Sequence, residues 1–159
     1  AGALRRGQPQ GIAVSARTDT VWYADGLAFE CQACGRCCRG PGGYVWVTEA
    51  EIQSLAAALA LSPAAFARQY VRSTTRGCAL CDNGQGDCIL LGEGGRCRAY
   101  DARPLQCRTY PWWPEILDKP SYWRNEQRHC PGIGRGRVHS AQEIHEALAR
   151  VPPQPDADD

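Results

Sequence analysis

No run of this 159-residue chain approaches the ~18 consecutive apolar residues that a membrane-spanning helix needs. The opening stretch, Ala1-Gly2-Ala3-Leu4-Arg5-Arg6-Gly7, lacks the apolar segment of a secretory signal. Excess charge of either sign is also missing. The net charge is +1, and acidic residues are spread out apart from Asp156-Ala157-Asp158-Asp159. That balance excludes a global basic field for nucleic acid. Lysine is nearly absent: Lys119 stands alone, and arginines scattered along the chain carry the remaining positive charge. There is no phosphate loop, no Ser–His–Asp pattern and no carboxylate pair in a motif that specifies acid–base catalysis. The expected partners therefore include neither membrane nor nucleic acid. The expected compartment is the cytoplasm, where thiols stay reduced.

What the chain has is cysteine. Ten cysteines accompany 17 glycines and 11 prolines. A chain so often interrupted needs support from cross-links or metal. In a reducing compartment, dense cysteine points to metal or redox chemistry rather than disulfides. Disulfides have the even count in their favour, but pairing adjacent Cys37 and Cys38 would be strained.

The pattern predicts a small, loop-rich α+β domain over residues 21–151. A flexible arm (1–20) precedes it and a Pro-rich acidic tail (152–159) follows. Val21-Trp22-Tyr23 has the composition of a short strand. Leu27 to Cys31 reads as an extended entry to the first cysteines. After a Gly40–Gly43 turn, Tyr44-Val45-Trp46-Val47 has strand composition. Thr48 and Glu51 form a capping box for a helix whose apolar face is Ile52, Leu55, Ala56 and Leu59. A second helix starts at Ser62 with Pro63 in its first position, and Phe66 and Tyr70 lie four residues apart. The segments 88–91 and 97–100 flank Gly92-Glu93-Gly94-Gly95-Arg96 as a hairpin with a cysteine on each strand. A helical turn is expected within 101–109, a stiff aromatic segment at 111–114, and an open loop at Gly132, Gly134 and Gly136. The last helix starts at Ser140 with Glu143 as capping partner and buries Ile144, Ala147, Leu148 and Val151.

The chemistry lies in the thiols. Cys31, Cys34 and Cys37 form CxxCxxC, whose spacing lets thiolates converge while intervening amides point at sulfur. Cys130, followed by Pro131, is a candidate fourth ligand, and together they make the ligand pattern of a ferredoxin-type [4Fe–4S] site. Cys38 directly follows Cys37, and neighbouring side chains usually diverge. It therefore belongs either to a second site or in place of Cys37. Cys88, Cys97 and Cys107 are left to complete a second centre. Cys78 and Cys81 form another CxxC, which with Cys88 and Cys97 would make a four-cysteine zinc site. A redox dithiol is the weaker reading of that pair, because no βαβ context surrounds it. His129 beside Cys130 reads as a polar neighbour, and His139 and His145 as surface residues. Arg103 and Arg108 flank Cys107, where they could stabilise thiolates, bind an anion or form surface salt bridges. Trp112, Trp113 and Trp123 would shield a cluster or form a small core.

These pieces, in order, resemble the CxxCxxCC family of zinc- or iron-chelating domains, also called YkgJ-like. The matching stretches are 29–40, the strand and helix after it, 88–91, 97–111 with Asp101-Ala102-Arg103-Pro104-Leu105-Gln106-Cys107, and Cys130-Pro131-Gly132. The resemblance implies eight metal-ligating cysteines: Cys31, Cys34, Cys37, Cys38, Cys88, Cys97, Cys107 and Cys130. It leaves Cys78 and Cys81 as additions to the family pattern, a further metal or redox pair. Three functions follow as expectations. The first is an iron–sulfur protein, with a [4Fe–4S] cluster, serving electron transfer, redox sensing or the support of a protein partner. The second is a zinc-binding structural or interaction module. The third is a metal-dependent enzyme with an open coordination position.

Overall fold

A computed structural model describes residues 21–40 and 43–153. The expected N-terminal arm, the centre of the Gly40–Gly43 turn, and the tail from 154 lie outside them. The described chain is α+β and built from short elements. Strand β1 (Leu27–Phe29) leads into the cysteine loop. Helices α1 (Glu49–Ala58) and α2 (Pro63–Tyr70) follow, then a hairpin of β2 (Val71–Thr74) and β3 (Gly77–Leu80). The C-terminal half holds α3 (Leu105–Thr109), α4 (Pro114–Leu117), α5 (Pro120–Glu126), β4 (Ile133–His139) and α6 (Ala141–Arg150).

Local chemistry explains the helix starts. Thr48 Oγ1 accepts from the Glu51 N–H (3.2 Å), and the Glu51 carboxylate accepts from the Thr48 N–H (2.8 Å). The second oxygen of Glu51 accepts from the Leu105 N–H at 2.7 Å. One carboxylate thus satisfies orphan amides at the starts of two helices, α1 and α3. Ser140 and Glu143 repeat the capping box on α6, and Ser62 with Pro63 opens α2.

Two apolar clusters result. One gathers Tyr23, Trp112, Ile116, Leu117, Trp123, Ile133 and Ile144, with Phe29 and Tyr110 packed against it. The other gathers Val47, Leu55, Ala56, Phe66, Leu80, Leu90 and Ala99. Ile144, Leu55 and Phe66 are fully buried, as the periodicity of their helices predicts.

Several elements differ from expectation. Val21–Tyr23 is a turn, closed by Ala24 N–H to Val21 O (3.1 Å) and Gly26 N–H to Tyr23 O (2.9 Å). Its aromatics serve as anchors instead: the Trp22 indole donates to Leu117 O at 2.7 Å, and Tyr23 is buried. Tyr44–Val47 is extended, but only Trp46 bridges, to Ala79 of β3. The buried Gln106 side chain holds this segment, accepting from the Trp46 N–H (3.0 Å) and donating to Tyr44 O (2.9 Å). The regular hairpin is β2–β3. The 88–100 segment keeps its turn and pairs across it at the bridge Leu91–Cys97, with Arg98 N–H to Leu90 O and Gly92 N–H to Arg96 O both 2.8 Å, while Cys88 bridges outward to Asp82. Two of its amides bond to neighbouring loops, Cys88 N–H to Cys38 O (2.8 Å) and Ile89 N–H to Cys81 O (3.0 Å).

The expected loop at Gly132–Gly136 is largely strand β4, antiparallel to β1. The register jumps from Ala28–Val138 to Phe29–Ile133, and the intervening bulge is turned by Gly134 and Gly136 at positive φ. No single helix among the described residues is long and apolar enough to cross a membrane.

Candidate metal centre

Between the two apolar clusters lies a cavity of about 200 Å³, open to solvent. Seven cysteines line it: Cys31, Cys34, Cys37, Cys38, Cys97, Cys107 and Cys130. They arrive on four stretches. The CxxCxxCC loop follows β1 and ends in a single 3-10 turn, Arg36–Cys38. Cys97 follows the glycine turn, Cys107 sits in α3, and Cys130 follows α5 and packs in the first cluster.

Gly35 fixes the loop. Its backbone is left-handed (φ +69°), and a Cβ there would stand 2.0 Å from Gly95 O and 2.8 Å from Leu91 Cδ1. The CxxCxxCC loop and the 92–96 turn can therefore meet only through a residue without a side chain. The Cys88 N–H to Cys38 O bond ties the two segments a second time.

For Cys37 and Cys38 the expected divergence of neighbouring side chains does not hold. The tight 3-10 turn brings Cys37 and Cys38 to the same cavity wall, and their thiols hydrogen-bond to each other. That bond holds the Cys37 thiol below its ordinary value and, together with burial, Cys38 above it.

The remaining donors share a second feature. Burial raises the Cys88, Cys97 and Cys130 thiols, and pushes Cys107 up to about 12. Backbone N–H groups two residues on oppose this: Leu90 at Cys88, Ala99 at Cys97 and Gly132 at Cys130. The Ala33 N–H likewise points at Cys31 Sγ (3.4 Å). Burial disfavours isolated thiolates, while the amides stand ready to stabilise sulfur charge once a cation shares the site. The Tyr110 hydroxyl donates to Glu126 Oε1 at 2.5 Å and stands beside the Cys130 thiol. Burial first, and Glu126 second, keep Tyr110 well above the ordinary phenol value. The Tyr100 hydroxyl bonds to Cys31, which raises Tyr100 as well.

Cys88 lies behind the wall, within electrostatic reach of Cys38, Cys97 and Cys107. Cys78 and Cys81 stand apart. Cys78 is on β3 with Ser73 Oγ 3.9 Å away, and neither thiol lines the cavity. All ten thiols are free. Among the described residues, no three His, Cys, Asp or Glu side chains converge at the spacing of a single bound ion. The cavity that these cysteines help line, about 200 Å³, exceeds the ~10–15 Å³ needed to hold one water by the same measure.

The tryptophans form core and do not line the cavity. Trp112 stacks on Trp123 (5.4 Å, 13°), and Trp113 donates to Gln106 O (3.1 Å). Phe29 and Tyr110 line it in their place, with Trp112 edge-on behind Phe29 at 5.6 Å. His129 is exposed. His139 and His145 are half-buried, not surface residues: His139 Nε2 lies 3.0 Å from Phe29 O, and His145 packs on the Tyr23 ring at 5.6 Å. Arg103 and Arg108 both reach the cavity, joined by Arg36, which sequence reasoning passed over. Its position between Cys34 and Cys37 was the available signal.

No solved structure matches the chain. A protein of Methanocaldococcus jannaschii, "Uncharacterized protein MJ0661", is 31% identical over 122 residues, which are 73% of this chain and 65% of that protein. The chain thus spans just under two thirds of that relative's length. Residues 30–131 hold the whole CxxCxxCC loop, the glycine turn, Cys107 and Cys130, and they match the description "Putative zinc- or iron-chelating domain". With more than half of its length so matched, this chain belongs to the CxxCxxCC family.

Proposed function

We propose that this protein carries an iron–sulfur cluster, the iron member of the zinc-or-iron choice its family leaves open, and serves redox chemistry or the support of a partner. One observation carries the reading: seven thiols line a single cavity wider than one ion requires, with backbone amides aimed at several of the sulfurs. The residues that would hold the group are Cys31, Cys34, Cys37, Cys38, Cys97, Cys107 and Cys130, with Cys88 close behind. Bound there, an iron–sulfur cluster supplies one-electron transfer. The chain's own residues define its setting. Amides of Ala33, Ala99 and Gly132 offset sulfur charge, Tyr100 bonds to Cys31, Tyr110 stands beside Cys130, and Phe29 forms an apolar wall. Cys31, Cys34 and Cys37 are exposed, which offers an electron-transfer partner a short approach. Ten free thiols suit a reducing compartment, and a cytoplasmic setting accords with this.

Anaerobic purification with iron, zinc and acid-labile sulfide analysis tests the reading. It requires a brown protein with iron and sulfide in equal amounts and a visible spectrum that bleaches on reduction. A colourless protein with stoichiometric zinc would overturn it and favour the structural module.

A further inference from the structure

We propose that the cavity also contains a subsite for a small oxyanion, a carboxylate- or phosphate-bearing molecule, held by Arg36, Arg103 and Arg108. This deepens the metal reading, on which it rests for what the anion would sit beside.

Three observations carry it. The cavity lining includes three guanidinium groups and no carboxylate, although the chain has 17 acidic residues. The arginines come from separate places: Arg36 from the 3-10 turn between Cys34 and Cys37, Arg103 from the loop before α3, and Arg108 from the last turn of α3. None of the three is ion-paired to a carboxylate among the described residues. Arg39, Arg72 and Arg137, away from the cavity wall, do find carboxylates, at 3.7, 3.2 and 2.8 Å.

Arg103 is held in place. Its Nε–H donates to Tyr100 O at 2.7 Å and its guanidinium lies 3.6 Å from the Tyr100 ring centroid. Arg103 lines the cavity, where its Nη1 donates to Cys31 Sγ at 4.0 Å. A fork fixed in this way loses little freedom when it takes a bidentate oxyanion. Arg36 and Arg108 are exposed, so they stand at the rim, where an entering anion arrives. Phe29, Tyr100 and Tyr110 supply apolar surface for the carbon part of such a ligand. Arginines that only balanced thiolate charge would need neither a fixed fork nor an apolar wall beside it.

The test is calorimetric titration of the metal-loaded protein with inorganic phosphate, succinate and acetate, with sodium chloride as control. The comparison is wild type against the Arg36→Gln/Arg108→Gln double variant and the Arg108→Gln single variant. The expected result is saturable binding of phosphate or of a carboxylate, unmatched by chloride. It weakens about tenfold or more in the double variant, less in the single one. The phosphate and carboxylate arms separate the two ligand classes. Absence of saturable heat with all three probes overturns the proposal, as does equal binding by the variants. Should the double variant lose its metal, the single variant decides by the same comparison. Metal analysis of the same samples separates the two claims: a zinc-loaded protein that binds succinate through Arg108 refutes the cluster and keeps the subsite, and a cluster-loaded protein that binds no anion does the reverse.

Discussion

Gly35 and Gly94 form a matched pair for testing how the cysteine loop is held. Both have positive φ, +69° and +83°. Alanine at either position incurs the backbone penalty of a left-handed conformation, about 1 kcal/mol. They differ in their surroundings. A Cβ on Gly94 meets nothing within 4 Å, whereas one on Gly35 stands 2.0 Å from Gly95 O. Ordinary contact begins at 3.4 Å, so the Gly95 carbonyl or the CxxCxxCC loop must retreat by more than an ångström. Forced overpacking of this kind costs roughly 1–3 kcal/mol. Gly35→Ala should therefore destabilise by roughly 2–4 kcal/mol and Gly94→Ala by about 1 kcal/mol. At about 2–4 °C per kcal/mol for a chain of this size, the apo Tm should fall by roughly 4–16 °C and 2–4 °C, respectively. Metal content should diverge as well. A displacement of that size at Gly35 moves Cys34 and Cys37 relative to Cys97 and loosens the donor set. The assay is thermal unfolding of both apo variants by circular dichroism, with metal per chain measured on parallel anaerobic preparations. Equal Tm losses and equal metal content in the two variants would refute the idea that the 92–96 turn positions the loop.

Cys107→Ser and Cys130→Ser should each lower metal content severalfold, whereas Cys78→Ser and Cys81→Ser should leave it unchanged; elemental analysis of all four reads this directly. Arg103→Gln removes a cation 4.0 Å from Cys31 Sγ, so the bound cluster should become harder to reduce, its potential falling on the order of tens of millivolts in a spectroelectrochemical titration. The raised thiols of Cys88, Cys97, Cys107 and Cys130 must release protons to bind metal, so metal affinity measured by chelator competition should rise with pH from 6 to 8, and a flat profile would contradict the protonated starting state. Without metal the same shift acts on folding: Cys107 lies above its ordinary 9.0 at about 12, so its contribution is intact below pH 9 and is lost as pH climbs toward 12, visible as a falling apo Tm. Phe66→Ala should cost about 3–5 kcal/mol by denaturant unfolding, because Phe66 is fully buried in the second cluster.

What was legible in the sequence was local. Thr48 with Glu51 and Ser140 with Glu143 announce helix starts because both capping partners lie within one turn. The CxxCxxCC loop could be read for the same reason. The strand β4 could not, since its glycines signal a loop and only pairing with β1 makes them a bulge. Helices α4 and α5 do begin with Pro114 and Pro120, a readable sign, but such short helices owe their existence to burying Ile116, Leu117 and Trp123. The gathering of Cys97, Cys107 and Cys130 on one wall with the loop depends on contacts far apart in sequence. So does the second oxygen of Glu51, which reaches across to Leu105. The expected divergence of Cys37 and Cys38, sound for neighbours in a strand, fails in a 3-10 turn.

The position of the cavity between two apolar clusters bears on how the protein is made. The second cluster draws on 45–102 and can assemble as soon as that stretch has been synthesised. The first joins 21–29 to 110–148, so it closes only after the last helix has emerged and drawn the chain's early segment back onto it. Cys130 belongs to that late cluster. A nascent chain therefore exposes the CxxCxxCC loop long before its opposing donors are in place, and whatever delivers metal meets a half-built receptacle until synthesis has passed Ile144. The full set of thiols is thus offered only once the 21–29 and 110–148 segments have packed together.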